Sequence, residues 1–272
     1  MPNINSCRAS AFTAFRTTLA EFRGKPVTEV QFRDAWLAKL QQDPSLFAAG
    51  WYDPPPHGMA VLFARGDDPS RMSYESLRQE AAWPDQTKAD WRGFLFAYCS
   101  CISRTTGKLG DFDLTLYFGD DPQLKTHYRN CFNATAQLLH SISPADTSHA
   151  LFMRAEEIFA QANLRLSTTS ITAVTPAVLG HTFPVLPQSI LDTAPTVLAA
   201  EHKNLIRTAR HFIDRVSDWS LADGLQFTVE PQLRSALDPA LPKISFHYLA
   251  QVKDGQVQIC RDIDELITPL LN

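Results

Sequence analysis

The sequence predicts an α+β fold built as one domain over residues 1–272. Two pairs of amphipathic helix patterns are each interrupted by a proline-containing break, and strand-like runs lie between and after the pairs. With 272 residues and 44% hydrophobic content, the chain is long enough to bury one large core. Paired helices with antiparallel-type strands between them indicate helices that cover one face of a sheet.

The helix patterns are identified by apolar side chains that recur every three or four residues. They cover residues 11–22, 28–40, 128–142 and 147–162. The breaks within the two pairs contain Pro26 and Pro144, which lie 118 positions apart (144 minus 26). That spacing is too long for a solenoid repeat and suits a duplicated half-domain.

The strand patterns are apolar runs bounded by turn residues. They cover residues 59–64, 94–102, 114–118, 225–229, 244–252 and 256–259. The last two are separated by Lys253-Asp254-Gly255, which predicts a hairpin with a glycine turn. A further helix is expected within residues 192–212, and residues 79–89 form an insertion that matches neither pattern.

Composition argues against several classes of partner. A net charge of -4 and a pI near 6.0, with scattered basic residues, provide no field that would gather nucleic acid. The five cysteines are odd in number and lack Cys-x-x-Cys spacing, so neither a disulfide framework nor a structural zinc site is indicated. No apolar run approaches the roughly 20 residues of a membrane span. We therefore expect a soluble cytoplasmic protein without nucleic-acid or membrane partners.

Three positions carry residues suited to chemistry. Glu230 ends a hydrophobic strand pattern, where an unpaired carboxylate is costly, so it needs a cation, an arginine or backbone donors. His181 is either a ligand or a buried histidine bonded to a backbone carbonyl. Asp111 and Asp113 follow Gly110 and would share one face of a strand, although a solvated turn explains them equally simply.

The order Asp, His, Glu resembles the ligand order of the pita-bread peptidases, the family of methionine aminopeptidase, aminopeptidase P, prolidase and creatinase. Residues 111–119 resemble the family segment with a metal-binding Asp, a Thr and a closing Gly eight residues after the Asp. Gly180-His181 resembles the Gly-His-Gly motif, and residues 227–231 resemble Phe-Thr-Ile-Glu-Pro. This resemblance implies a single pita-bread domain, with a curved antiparallel-type sheet covered by two pseudo-symmetric helix pairs.

Two of the family's metal ligands are missing. The position of its other Asp falls on Ser100 if Asp111 is the anchor, or on Ile102 if Asp113 is. That of its final Glu falls on Phe246, with His247 beside it. The retained residues imply a mononuclear site in which Asp111, His181 and Glu230 hold one divalent Fe, Mn or Zn ion. Because the bridging carboxylate is lost, a metal-free site is the alternative.

The resemblance also implies roles around this site. His57 precedes a strand pattern and would orient the substrate, Asp113 or His247 would move protons, and Trp51 and Tyr52 would line the mouth of a pocket. The expected function is a metallopeptidase-like hydrolase or lyase acting on a small amide or peptide-like substrate. The alternative is an inactive pseudo-peptidase that binds a peptide or a protein, and a homodimer stays open for either.

Overall fold

The structure is a computed structural model that describes residues 5–48, 50–52, 58–168, 173, 175–193 and 198–271. The chain divides into two compact units. The N-terminal unit comprises the described residues of Asn5–Gly119 and Pro184–Ala209, and the C-terminal unit comprises those of Asp120–Phe183 and of the chain from Arg210 onward. Within the described part of the chain, no helix is long and apolar enough to cross a bilayer.

Helices and strands occur in separate runs along the chain, which is typical of an α+β fold. The α-helices of the described residues are α1 (Ser6–Phe22), α2 (Glu29–Gln41), α3 (Pro122–Ser141), α4 (Ser148–Gln161), α5 (Gln188–Thr193), α6 (Ala200–Ala209) and α7 (Asp264–Ile267). The strands are β1 (Leu46–Phe47), β2 (Met59–Ala64), β3 (Phe94–Cys99), β4 (Ile102–Ser103), β5 (Phe112–Tyr117), β6 (Leu164–Leu166), β7 (Val178–His181), β8 (Phe212–Asp214), β9 (Gln226–Val229), β10 (Gln232–Ser235), β11 (Ile244–Ser245), β12 (Tyr248–Lys253) and β13 (Gln256–Cys260).

The first predicted helix pair is confirmed in the N-terminal unit as α1 and α2. Helix α1 begins earlier than its apolar pattern, at Ser6, because the Asn5 side chain accepts the Arg8 amide and caps the helix. Helix α2 begins after Thr28, whose side chain and that of Gln31 form a reciprocal capping box. Local side-chain bonds, rather than hydrophobic periodicity, therefore set both starting points.

The sheet of the N-terminal unit has the antiparallel order β2-β3-β5. Every residue of these three strands is buried, which explains the continuous apolar runs of β2 and β3, whereas β5 includes the buried polar residues Asp113 and Thr115. Helix α2 packs on β2, and the Phe15 ring lies 5.0 Å from that of Trp36 in the layer between the helices and the sheet. The predicted strand over residues 94–102 is interrupted at Ser100 and Cys101, where pairing passes from β3 to β4.

The insertion at residues 79–89 packs against the start of α2. Lys88 forms an isolated bridge with Thr28, and the Glu29 amide donates to the Thr87 carbonyl at 3.0 Å. A short 3-10 helix, Glu80–Ala82, precedes this contact. The segment has no hydrophobic period because backbone bonds attach it to the unit, including the Ala81 and Trp83 carbonyls that accept from Arg71.

The second predicted helix pair is confirmed in the C-terminal unit as α3 and α4. Helix α3 starts at Pro122, six residues before its apolar pattern, with Asp121 accepting the amides of Gln123 and Leu124. The break after α3 is held by Asp146, whose carboxylate accepts the Ser143 amide and pairs with Arg154 at 2.7 Å. The break is therefore a bonded turn.

The predicted C-terminal hairpin is confirmed by the pairing of β12 with β13. Its turn residues Asp254 and Gly255 have φ values of 53° and 69°, the left-handed conformations of a two-residue hairpin turn. The expectation of one strand over residues 244–252 is wrong, because β11 ends at Ser245 and pairs with β10, whereas β12 begins at Tyr248 and pairs with β9 and β13.

The helix expected within residues 192–212 is also corrected. Its last residue, Phe212, is instead the first residue of strand β8, which pairs with β7. Helix α6 ends at Ala209. Strands β6, β7, β8 and β10 have only three or four residues each, too few to show a period in sequence.

Candidate functional site

His181 ends strand β7 and is held from the neighbouring strand β9. Its backbone amide donates to Thr228 Oγ1 at 2.8 Å. A Cβ atom at Gly180 would lie 2.1 Å from the Thr228 carbonyl oxygen, so only glycine permits this approach of the two strands. The Gly-His dipeptide therefore has a packing reason, independent of any ligand.

The His181 ring is oriented by its own backbone neighbourhood. Nδ1 lies 2.9 Å from the Thr182 carbonyl oxygen, and because a carbonyl only accepts, Nδ1 carries the hydrogen. Nε2 consequently presents a lone pair. Burial, together with the positive charge of Arg210, lowers the pKa of His181 to about 3, so the ring is neutral at physiological pH.

Glu230 follows β9 directly and faces this lone pair. Its amide donates to the Leu179 carbonyl at 2.8 Å, and its carbonyl accepts from Thr168 Oγ1 at 3.1 Å, which fixes the backbone on both sides. Glu230 Oε1 lies 3.7 Å from His181 Nε2. The side chain is 16% exposed, so the carboxylate is only partly removed from solvent.

His247 lies on the other side of the same carboxylate, with Nδ1 at 3.6 Å from Glu230 Oε2. Strand register explains this placement, because Tyr248 pairs with Val229 and the residue before one therefore meets the residue after the other. Phe246 instead packs against the rings of Tyr128 and Phe132.

Asp111 lies in the N-terminal unit, immediately before β5. Trp51 Nε1 lies 3.1 Å from each of its carboxylate oxygens, and the Trp51 side chain is almost fully buried. The Asp111 carbonyl accepts from Arg8 Nη1 at 2.8 Å. Trp51 therefore orients this aspartate, whereas its predicted contact with substrate stays a prediction.

The other predicted residues of the N-terminal unit have separate surroundings. Asp113 is buried within β5, opposite Tyr98 of β3. Tyr52 packs edge-on against Tyr98 at 5.4 Å, and the Arg78 guanidinium lies 4.2 Å from its ring centroid. His57 lies outside the described residues, so its predicted role stays a prediction.

Ser100 occupies the position of the family's missing Asp and has a structural function. Its hydroxyl donates to the Gly58 carbonyl and accepts the Tyr52 amide, both at 3.2 Å. A Cβ atom at Gly50 or Gly58 would approach within 2.6 Å or 2.3 Å of Ser100 Oγ. The close packing of Gly50 and Gly58 against position 100 therefore leaves room for a small hydroxyl side chain.

The described side chains do not fit a metal centre. Among them, no group of three or more His, Cys, Asp and Glu residues is arranged to hold an ion. His181 and His247 face different oxygens of Glu230, at 3.7 and 3.6 Å. Arg210 adds a fixed positive charge close enough to affect His181, and this charge opposes a second cation there.

Arg210 was absent from the sequence-based site. It lies between α6 and β8, is largely buried, and its guanidinium is 5.2 Å from the Phe212 ring centroid. Its effect on His181 acts through space across 29 residues of chain (210 minus 181). A basic residue just before a short strand is the only sequence signal, and it is not specific.

The chain has the pita-bread peptidase fold, which confirms the resemblance at the level of architecture. It matches the X-Pro aminopeptidase from Thermotoga maritima MSB8 with a TM-score of 0.61 and 14% identity. It matches dipeptidase PepE from Mycobacterium ulcerans with a TM-score of 0.58 and 14% identity, and methionine aminopeptidase from Rickettsia prowazekii with 0.58 and 13%. Each match covers 93% of this chain.

The coverage of the related structures differs. This chain spans 58% of the X-Pro aminopeptidase and 56% of the dipeptidase, but 94% of the methionine aminopeptidase. No family model and no curated protein matches the sequence. At these identities the structural matches establish a peptidase-like fold, and the reaction must be argued from the site.

Proposed function

We propose that this protein is a metal-independent hydrolase that acts on a small amide or peptide-like substrate. The observation that supports it is the Glu230 carboxylate, placed between imidazole nitrogens of His181 and His247 at 3.7 and 3.6 Å. Three side chains able to accept or donate protons thus meet in the C-terminal unit. The sequence assigned two of them to a metal, whereas the proposal assigns them to proton transfer.

The chemistry follows from the tautomer of His181. Its Nε2 lone pair and Glu230 Oε1 are both acceptors, and 3.7 Å is too long for a direct hydrogen bond. One water molecule can donate to both atoms and keep a lone pair for attack on a carbonyl carbon. Glu230 takes one proton from this water, and His247 relays that proton from Glu230 to the leaving amine as the C–N bond breaks.

Arg210 supplies the positive charge that the reaction needs. Its guanidinium stays charged at all relevant pH values, and its effect on His181 indicates that the charge acts at the site. In the proposed reaction it stabilises the negative charge that develops on the substrate oxygen during attack. This is the part that a metal ion would otherwise perform.

The roles predicted for Asp113, Trp51 and Tyr52 of the N-terminal unit, and for His57, stay predictions. One catalytic-type domain over residues 1–272 stays part of the proposal. The metal-bound alternative uses His181 and Glu230 as ligands, and the two forms differ in the number of metal atoms per chain.

The test combines metal analysis with turnover. Protein purified without chelator is analysed for Fe, Mn and Zn, then assayed against Xaa-Pro dipeptides, methionine-initiated peptides and small amides, with and without EDTA. We expect far less than one metal atom per chain and turnover that survives EDTA. Glu230→Gln should reduce turnover by about 10²- to 10⁴-fold, the usual contribution of a general base.

The matched control is Glu156→Gln in the same unit. Glu156 pairs with Arg215 at 2.6 Å on the surface, so its neutralisation should leave turnover unchanged. One metal atom per chain that is lost in His181→Ala would overturn the metal-independent proposal and favour the mononuclear site. Loss of turnover in EDTA would have the same consequence.

A pseudo-peptidase that binds a peptide or protein is the second candidate. The observation that favours it is burial, because the side chains of His181 and His247 are only 4% and 1% exposed. A closed cluster suits a packed interior better than repeated turnover. Calorimetric binding of a peptide from the same panel, without product formation over hours, would favour this function.

A further inference from the structure

The N-terminal unit contains a pair of buried thiols that the proposed reaction does not use. Cys7 lies in the first turn of α1 and Cys101 follows β3, 94 residues later. Their Sγ atoms are 3.2 Å apart, and Cys101 Sγ also lies 3.8 Å from the Cys7 carbonyl oxygen. Both side chains are almost fully buried.

Gly110 leaves the space that this pair occupies. A Cβ atom there would lie 2.6 Å from Cys7 Sγ and 2.8 Å from Cys101 Sγ, closer than real Cβ contacts. The Gly110 amide donates to the Cys101 carbonyl at 2.8 Å, which holds the glycine against the sulfur atoms. The Gly110 backbone therefore packs directly against both sulfur atoms.

We propose that Cys7 and Cys101 form a reversible disulfide, with a peroxide as the oxidant. A disulfide bond is about 2.05 Å long, so the sulfur atoms need to approach by only about 1.2 Å. Helix ends open more readily than helix interiors, and the position of Cys7 in the first turn makes it the thiol that the oxidant reaches first.

The reaction balances in two steps. Cys7 sulfur attacks one oxygen of hydrogen peroxide, the O–O bond breaks, and the Cys7 proton leaves with the other oxygen as water. Cys101 sulfur then attacks the Cys7 sulfenic acid, the S–O bond breaks, and hydroxide departs as water with the Cys101 proton. Two thiols lose two electrons in total, and one peroxide is reduced to two water molecules.

The electrostatics of the cluster support this division of roles. The hydrogen bond with Cys7, together with burial, raises the pKa of Cys101 well above its ordinary value. Burial also raises the pKa of the neighbouring Cys99. Both therefore stay protonated and react slowly with peroxide directly. Cys101 is the resolving thiol because its sulfur lies 3.2 Å from that of Cys7, whose sulfenic acid is then the electrophile.

The bond would join two segments that already meet near Asp111. Asn5 Nδ2 donates to the Leu109 carbonyl at 2.7 Å, and Arg8 Nη1 donates to the Asp111 carbonyl at 2.8 Å. These residues flank Cys7 on the first turn of α1. A disulfide would fix that turn to the segment leading into β5, independently of which reaction the C-terminal unit performs.

The experiment maps the bond in the full chain. Protein is treated with hydrogen peroxide, alkylated under denaturing conditions and digested with trypsin, which yields residues 1–8 with Cys7 and residues 93–104 with Cys99 and Cys101. We expect these two peptides to be linked and two of the five thiols to be lost. Dithiothreitol should restore all five.

Single substitutions identify the partner. Cys99→Ser should keep the link, whereas Cys7→Ser and Cys101→Ser should abolish it. Cys131→Ser is the matched control, because Cys131 is equally buried but lies in α3 of the C-terminal unit. It should keep the link.

Fragmentation of the linked peptide from the unsubstituted protein locates the bond even if a variant does not fold. Five unmodified thiols after treatment, a link through Cys99, or a sulfinic acid at Cys7 that dithiothreitol does not reverse would each overturn the proposal.

Discussion

Removing Arg71 should strongly destabilise the N-terminal unit, because it leaves the Glu29 carboxylate buried without its cation. Glu29 is completely buried and accepts Arg71 Nε at 2.7 Å and Nη2 at 2.6 Å. The Phe63 and Asp85 amides donate to it at 2.6 and 3.0 Å. Burial raises the pKa of Glu29, and the Arg71 and amide bonds oppose that rise.

Protonation of Glu29 sets an upper limit on the stability that the unit loses without Arg71. In Arg71→Met the aliphatic part of the side chain is kept, and the carboxylate either stays charged, at a cost of about 3–5 kcal/mol, or takes up a proton. With an ordinary pKa of 4.5, protonation at pH 7 costs about 3.4 kcal/mol. We therefore expect a loss of about 3 kcal/mol in the free energy of unfolding.

The stability lost in Arg71→Met should increase as pH rises. In the variant the folded-state pKa of Glu29 is raised above the unfolded value, so the protonated carboxyl is tolerated below about pH 4.5 and stability falls as pH rises. At pH 5.5 protonation costs only about 1.4 kcal/mol, and the loss should shrink accordingly.

Urea unfolding at pH 5.5 and pH 7 measures these values. Glu29→Gln combined with Arg71→Met should recover most of the lost stability, since no buried charge remains. The control is Arg65→Met, whose guanidinium pairs with Asp67 on the surface and should change nothing measurable. A loss below about 1 kcal/mol at pH 7, or an equal loss at both pH values, would refute the reasoning.

Three further predictions concern the C-terminal unit. Gly180→Ala places a Cβ atom 2.1 Å from the Thr228 carbonyl and should cost about 1–3 kcal/mol in urea unfolding; an unchanged midpoint would contradict the close packing of β7 and β9. Burial lowers the pKa of His127 below 6.5, so the contribution of neutral His127 to folding stability is present above that pH and is lost as pH falls. His127→Gln should flatten the dependence of unfolding free energy on pH between pH 5 and 7. An unchanged slope of that dependence would count against this. Burial raises the pKa of Asp146, but the bonds from Arg154 and the Ser143 amide lower it by more, so the folded-state pKa lies below 3.8. Asp146→Asn should therefore reduce stability in thermal unfolding at pH 7 and much less at pH 2.5.

Features that depend on neighbouring residues were predictable from the sequence. The two helix pairs and strand β2 were recognised from spacing alone, because one apolar face at helical period or one short apolar run is a local property. The hairpin between β12 and β13 was recognised from its glycine turn for the same reason. The starts of α1 and α3 were missed by five and six residues, because side-chain caps extend helices beyond their apolar pattern.

The site was predictable only in part. Glu230 and His181 were recognised from short motifs, and the structure brings them to 3.7 Å. His247 was recognised as the neighbour of Phe246, the position of the family's final Glu. The interruption between β11 and β12, beside which His247 lies near Glu230, is not a sequence pattern. Arg210 was missed, because its charge acts across space on a residue that is remote in the chain.

The sequence by itself determined the class of fold, the helix pairs and the candidate residues, since each depends on periodicity or on a few adjacent side chains. Only the tertiary structure decided how those residues are used. It places two imidazoles on opposite oxygens of one carboxylate, assigns Trp51 to Asp111, and joins Cys7 to Cys101 in one contact. Such arrangements depend on strand register and on packing between distant segments, which are properties of the whole folded chain.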